Sequence, residues 1–372
     1  MTRRILTAVL IVTALAPLTA HAAPRAARGG HDIGALHARA KERWDLSTVD
    51  AVYLLESRDV LVEQGSRTTT VHRIAWIGTE LGIELFADLR VPCNTERAEL
   101  EVHTLRTWRD GQWWPDESEI SETAVVPTLP GALRRAHDYT TVREMMLLHD
   151  GVEIPCIVET VYSITEEASS RRGGWDELWI FAQGDPAVRV EYRLTVPTGA
   201  QIRTASRNGA PEPTEDAANG RTTYAWAMDD VERIGRPVIS DPASVAPHIV
   251  WSTWPDWGAY AKMTAVAFDG AAALEEAVTE TLASLVARAP AGYARAREAA
   301  DYVAESVRAV GYDESHWAFE PRSAQRTWET AYGHRLDRAV FAAACFREIG
   351  CKVVPVHLSS GFGPVDPGVV SL

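Results

Sequence analysis

The sequence predicts an α+β protein, with an N-terminal antiparallel β-sandwich-like domain followed by a smaller, partial domain in which helices lead into a strand. Three observations predict it. Between Ala51 and about Met228, short apolar runs rich in Val, Ile, Tyr and Trp alternate with turn signals. After about Met263 the apolar spacing lengthens to three and four residues. Near the end, "YGHRLDRAVFAAACFREIG" (Tyr332–Gly350) reads as a helix entered through a Gly-containing turn.

The first 22 residues stand apart. Arg3 and Arg4 precede an apolar run from Ile5 to Leu15, and Ala20-His21-Ala22 has the small-x-small form of a cleavage site. That order predicts a cleavable secretory signal peptide, since the run is too short to span a bilayer. With no cysteine after the run to carry a lipid, the expected location is periplasmic or secreted. Removing the segment's two arginines takes the formal charge from −14 to −16. Such a balance disfavours nucleic acid and anionic membranes as partners. The pairs Arg134-Arg135 and Arg171-Arg172 are isolated and read as solvated loop charge.

The mature chain then divides in order. Residues 23–46 read as a linker with a short helix, 47–263 as the β domain and 264–372 as the partial second domain. In the β domain, "AVYLLESRDVLVEQ", "TVHRIAWIG", "IELFADLRV", "ELEVHTLRTWRDGQWW", "IPCIVETVYSIT", "ELWIFAQ" and "VRVEYRLTVP" are the strands. "SRNGAPEPTEDAANGR" is expected as a polar loop. Strands at this spacing, without helical periods between them, argue for stacked antiparallel sheets. Next, "AAALEEAVTETLASLVARA" and "YARAREAADYVAESVRAVGY" predict two amphipathic helices joined at Pro290-Ala291-Gly292. A third helix runs from about Leu336 to Ile349, then "KVVPVHLSS" reads as a strand and "GFGPVDPG" as a loop.

Cysteine usage adds little. Cys93 and Cys156 fall in strand-like segments. If Gly350 ends the third helix, Cys351 packs back toward Cys345 and Phe346, with two small buried side chains favoured over a disulfide. Neither C-x-x-C nor H-E-x-x-H occurs, so no metal and no cofactor is predicted.

The order of these features resembles a known arrangement. "LLHDGVEIPCIVETVYSI", "DPAVRVEYRLTVPTGA" and "HIVWSTWPDWGAYAKM" resemble the N-terminal β domain of unknown function that precedes transglutaminase-like domains in exported bacterial proteins. "YVAESVRAVGY" and "FEPRSAQRTWETAYGHRLDRAVFAAACFREIGCKVVPVHL" resemble the first half of a transglutaminase-like, papain-type core, whose pattern includes "YGDCKDKA". The resemblance implies a nucleophilic Cys at a helix N-terminus, where unpaired N–H groups and the helix dipole favour a thiolate. It also implies a His and an Asp from later strands.

Here the sequence departs. Tyr332, Gly333, Asp337 and Ala339 match, but His334 stands for the family's Asp, Arg335 for its Cys and Leu336 for its Lys. A guanidinium offers no nucleophile. Cys345 lies ten residues further on, about 15 Å along the axis, and reads as a core residue. His334 reads as a partly exposed loop histidine without a nucleophile to serve. His357 is not at the family's His position, and the sequence given ends at Leu372, before the family's later strands. The apolar face of Leu336, Val340, Ala343 and Ile349 is therefore expected to lack cover.

These readings lead to a degenerate transglutaminase-like module, a pseudoenzyme that binds or scaffolds a peptide, glycan or envelope protein. Its candidate surface is lined by Trp317, Phe319, Glu320, Tyr332, His334, Arg335 and Asp337. Arg335 at a helix N-terminus would favour a carboxylate, unless it pairs with Asp337 or Glu320 and only steadies the turn. The rival is a cysteine amidase, peptidase or acyltransferase acting on envelope peptides, which needs a nucleophile from elsewhere. A third reading makes the β domain the working part, with tryptophans such as Trp113, Trp114, Trp251, Trp254 and Trp257 stacking sugars. Such tryptophans more often fill a core or a domain seam.

Overall fold

Ala51 to Val231 is built mostly of strands, and its central ones carry runs of buried residues, as in β2 and the start of β8, because both faces of the sheet there are covered. The computed structural model describes residues 31–115, 120–167, 174–234, 242–287, 289–290, 292–312, 320–354, 356 and 366–371. The proposed signal peptide lies outside them. Helix α1 (Ile33–Arg43) starts at Asp32, whose carboxylate accepts from the Ala35 N–H at 3.0 Å. Then come β1 (Ala51–Glu63), β2 (Ser66–Ile77), α2 (Glu80–Phe86), β3 (Asp88–Asn94), β4 (Ala98–Arg109) and β5 (Gln112–Trp114). Strands β6 (Val125–Thr128), β7 (Val142–Leu148), β8 (Cys156–Glu167), β9 (Asp176–Ile180) and β10 (Ala187–Pro197) follow. The β region closes with β11 (Arg203–Arg207), β12 (Thr214–Ala218), β13 (Arg221–Val231) and β14 (His248–Ser252).

One eight-stranded sheet dominates, in the order β12-β13-β10-β1-β2-β8-β4-β5. Two three-stranded sheets, β11-β14-β9 and β3-β7-β6, accompany it. Val60, Tyr192, Leu194 and Trp226 of the large sheet share a buried cluster with Phe181, Ile249 and Trp251 beside and within the first small sheet. Leu105 and partly buried Tyr162 and Ile164 do the same with Val91 and Leu147 of the second. Helix α1 packs near one end of the large sheet, with Ala40 among Val52, Leu55, Ile74 and Ile157.

Three local expectations are corrected. The large sheet is mixed rather than antiparallel, because β1 and β10 pair in parallel from Tyr53↔Ala187 to Leu61↔Thr195. "IELF" is the end of a helix, not the start of a strand: the Thr79 hydroxyl accepts from the Gly82 N–H at 3.3 Å and starts a short helix before β3. The loop Ser206–Arg221 contains an exposed edge strand, β12, whose Glu215 and Asp216 put charge on the edge of the sheet.

Helices α3 (Trp257–Ala271), α4 (Glu276–Val286), α5 (Tyr293–Ser306), α6 (Ala324–Thr330) and α7 (Arg335–Glu348) follow, with the short parallel pair β15 (Arg308–Ala309) and β16 (Tyr332–Gly333). Helix α3, started by Asp256 accepting from the Ala259 N–H at 2.7 Å, runs through residues 263 and 264. Trp254 and Tyr260 bury Val370 beside it, and the Trp257 indole donates to the Asp366 carbonyl at 2.8 Å. These tryptophans fill a core.

The apolar face of α7 is covered after all. Val340, Phe341, Ala344 and Cys345 are buried among Phe268, Val278, Leu282, Val303, Val307 and Ala324, so helices α3 to α6 supply the cover expected of later strands. Helix α7 ends as anticipated: Gly350 takes φ of 83°, its N–H bonds the Arg347 carbonyl, and the Cys351 N–H bonds the Phe346 carbonyl, both at 2.9 Å. Cys93, Cys156, Cys345 and Cys351 are all free thiols. Residues 351–354 and 356 carry no strand, and the rest of the expected "KVVPVHLSS" strand, including His357, lies outside the described residues.

Candidate functional site

The pattern Tyr-Gly-x-x-x-Asp at Tyr332–Asp337 places a turn, a helix cap and a first-turn carboxylate in six residues. Gly333 is required by space: a Cβ there would come within 2.9 Å of the Asp337 Cβ and 3.1 Å of the Thr327 Cγ2. His334 is the N-cap of α7, and its Nδ1 accepts from the Leu336 N–H at 3.1 Å. A nitrogen that accepts carries no proton, so the ring proton sits on Nε2, 3.3 Å from the Asp337 Oδ1. At 1% exposure His334 is a buried capping residue, not the partly exposed loop residue expected.

Asp337 sits in the first turn of α7, where an anion suits the helix dipole, and is fully buried. A buried carboxylate is tolerable only with its lone pairs filled, and these are. The Arg322 backbone N–H donates to Oδ1 at 2.7 Å and the Arg322 Nε to Oδ2 at 2.7 Å. The Tyr139 hydroxyl also donates to Oδ2. That same hydroxyl accepts from the His334 backbone N–H at 3.1 Å. Burial, reinforced by the Asp337 charge, raises the Tyr139 phenol well above its ordinary range.

The cluster is a seam. Asp138 and Tyr139 lie in the loop between β6 and β7, whereas Arg322, Arg326, His334 and Asp337 come from the helical region. Arg322 Nη1 reaches the Asp138 Oδ2 at 2.6 Å, and Arg326 grips both Asp138 oxygens at 2.8 Å. Hydrogen bonds from Arg326 first, then from Arg322, hold the Asp138 carboxyl down to about 2 against the opposing effect of burial. The Arg322 guanidinium carbon lies 4.6 Å from the Tyr139 ring centroid and 4.8 Å from that of Tyr332. Tyr332 itself accepts the Asp138 N–H at 3.0 Å, and both tyrosines join the apolar cluster of Leu133, Ala136, Val142 and Val310.

Of the expected surface residues, the structure brings Tyr332, His334 and Asp337 together as buried parts of this seam. Arg335, the first residue of α7, is exposed. Glu320 is exposed and pairs with Arg97 at 3.3 Å, and Asp337 is held by Arg322. Trp317 and Phe319 lie outside the described residues. Sequence reasoning missed Asp138, Tyr139, Arg322 and Arg326. The only local signal was "EPRS", an arginine just before the Ser323 cap of α6. Cys345 is fully buried, and burial pushes its thiol up to about 12. Among the described residues no group of three or more His, Cys, Asp and Glu side chains is placed to hold a metal ion. No described helix is long and apolar enough to cross a membrane.

Residues 63–234 match a family described as a domain of unknown function with a solved structure (DUF3857). The fold is similar to the crystal structure of a candidate protease from Parabacteroides distasonis, with a TM-score of 0.71 and 17% identity, over 81% of this chain and 59% of that one. The chain thus spans about three-fifths of that protein's length. At this identity the likeness concerns the fold alone. An M1 zinc metallopeptidase from Deinococcus radiodurans aligns over 54% of this chain and 42% of that one at 16% identity, but its TM-score of 0.25 carries no weight. No curated protein matches the chain.

Proposed function

We propose that the chain is an exported, non-catalytic module of transglutaminase-like type that binds or scaffolds a peptide, glycan or protein of the cell envelope. The observation that carries this reading is Arg335. It opens α7 at the position where the resemblance calls for a cysteine, and its side chain is exposed there. A guanidinium cannot attack a carbonyl, but beside a helix N-terminus it suits a carboxylate. His334, the neighbouring imidazole, is spent on capping the helix and on Asp337 rather than poised beside a nucleophile.

Two finer readings belong with this proposal. The large sheet and the small sheets that share its clusters are read as an open sandwich forming a β domain over 47–263, and the helices as a separate module over 264–372. The leading segment Met1–Ala22 is read as its export signal.

The second reading is a cysteine amidase, peptidase or acyltransferase, favoured by the fold likeness to a candidate protease. Incorporation of a fluorescent amine into glutamine peptides, with release of peptide fragments followed in parallel, separates the two. Background rates, equal to those of the Arg335→Ala variant, are expected. Turnover that disappears on alkylating the protein's thiols would overturn the non-catalytic reading.

A further inference from the structure

The pair Arg134-Arg135 is isolated in the sequence but not in the fold. Leu133 and Ala136 on either side of it are buried and pin the loop, while both arginines are exposed. Arg308 at the start of β15 lies 173 positions from Arg135, yet its Nη2 donates to the Arg135 carbonyl at 2.9 Å. Its guanidinium carbon is 5.9 Å from the Tyr332 ring centroid, and it too is exposed. One segment from the β region and one from the helical region thus bring three cations to a single surface.

These three differ from most arginines of the chain. Acidic residues outnumber basic ones by 51 to 37, and carboxylates hold Arg39, Arg58, Arg73, Arg106 and Arg189 at 2.6–2.9 Å. Among the described residues Arg134, Arg135 and Arg308 have no carboxylate partner. The acids near them in the chain are engaged elsewhere: Asp138 holds Arg322 and Arg326, and Glu329 pairs with Arg326. Along α5, Glu298, Asp301 and Glu305 are exposed at spacings of three and four, an acidic stripe that stops just short of Arg308.

The small extent of the patch selects its ligand. A guanidinium meets a carboxylate through two parallel N–H donors, and Arg308 keeps its Nε and Nη1 for that purpose. An extended array of phosphates, on a nucleic acid or an anionic bilayer, runs past three cations onto the stripe of α5. It also meets the repulsion of a chain with a net charge of −14. A short anion ends within the patch, and charges beyond about 8 Å are largely screened at physiological salt.

We propose that Arg134, Arg135 and Arg308 form a docking surface for an acidic segment of a partner protein, one with two or three clustered carboxylates. The proposal takes the chain as a binding module, as above, but does not use Arg335. Because the arginines come from both sides of the seam, a bound segment braces the loop before β7 against β15.

The test is calorimetric titration of the full chain at low salt with hexaglutamate, hexaglutamine, a short DNA duplex and phosphatidylglycerol vesicles. Saturable binding of hexaglutamate is expected, with hexaglutamine silent and slower hydrogen exchange in 131–140 and 308–310 together. Arg134→Gln with Arg135→Gln should weaken it about tenfold or more, and so should Arg308→Gln. Arg203→Gln, which removes an exposed arginine of β11, should leave it unchanged. Unfolding midpoints show that the variants are folded, and the loop pair serves if Arg308→Gln is not. No binding at millimolar concentration, affinity kept within about twofold in the patch variants, or tighter binding of DNA or vesicles overturns the proposal. Loss of binding in Arg335→Ala alone also overturns it, while sparing the reading of the α7 terminus.

Discussion

The Arg322 guanidinium lies 2.7 Å from the buried carboxylate of Asp337, and its other arm lies 2.6 Å from Asp138 in the β region. One arginine thus ties the first turn of α7 to the loop between β6 and β7. Removing Asp337 takes the acceptor from the Arg322 Nε and backbone N–H and from the Tyr139 hydroxyl, and leaves Arg322 only the Asp138 carboxylate that Arg326 already shares. Asp337→Ala is expected to cost roughly 3–5 kcal/mol in denaturant unfolding. A loss below about 1 kcal/mol would mean that solvent reaches Arg322 and that the seam is not buried as described.

Tyr139→Phe isolates one hydroxyl. It deletes the donor to Asp337 and the acceptor of the His334 N–H while keeping the ring between Leu133 and Tyr332. A loss of about 1–3 kcal/mol is expected. Hydrogen exchange should register it at the start of α7 as well as in the 137–142 loop. Faster exchange in the loop alone would show that the two sides are not coupled.

Gly333 tests the turn. An alanine Cβ would press on Asp337 and Thr327, both fully buried and unable to yield. Gly333→Ala should cost roughly 1–3 kcal/mol by thermal unfolding, against a few tenths for an exposed site.

Acid should loosen the seam in a defined window. The folded state depresses the Asp138 carboxyl from 3.8 to about 2, chiefly through Arg326. A depressed carboxyl stabilises fully above its unfolded value and loses that contribution as pH falls through the folded one. Stability should therefore drop between about pH 4 and pH 2, and Asp138→Asn should flatten that part of the profile. An unchanged slope in the variant would assign the acid sensitivity to other carboxylates.

The sequence carried what local spacing carries. Helix α7 and its Gly350 terminus follow from neighbouring residues, and so does the core position of Cys345. Helix α2 was hidden because "IELFADLRV" alternates well enough to read as a strand, and only the Thr79 cap contradicts it. Helix α3 was hidden because the "WSTWPDW" run that leads into it reads as a domain seam, although Asp256 marks its start. The parallel partnership of β1 with β10 has no local signature. The seam was invisible for the same reason: Tyr139 and Asp337 are 198 positions apart, so nothing near either residue announces the other. The cover of α7 was misjudged because family likeness suggested a sheet, whereas Phe268, Val278 and Leu282 belong to helices.

The central claim is that the α7 terminus is built to hold and not to react, and alkylation kinetics test it most directly. With iodoacetamide at neutral pH and residue-resolved mass spectrometry, Cys345 should react far more slowly than a free thiol, because burial raises its pKa to about 12 and closes access. Partly exposed Cys351 should react no faster than a free thiol. Alkylation of any of the four cysteines well above the free-thiol rate, with a pH midpoint below neutrality, would reveal an activated nucleophile and contradict the account.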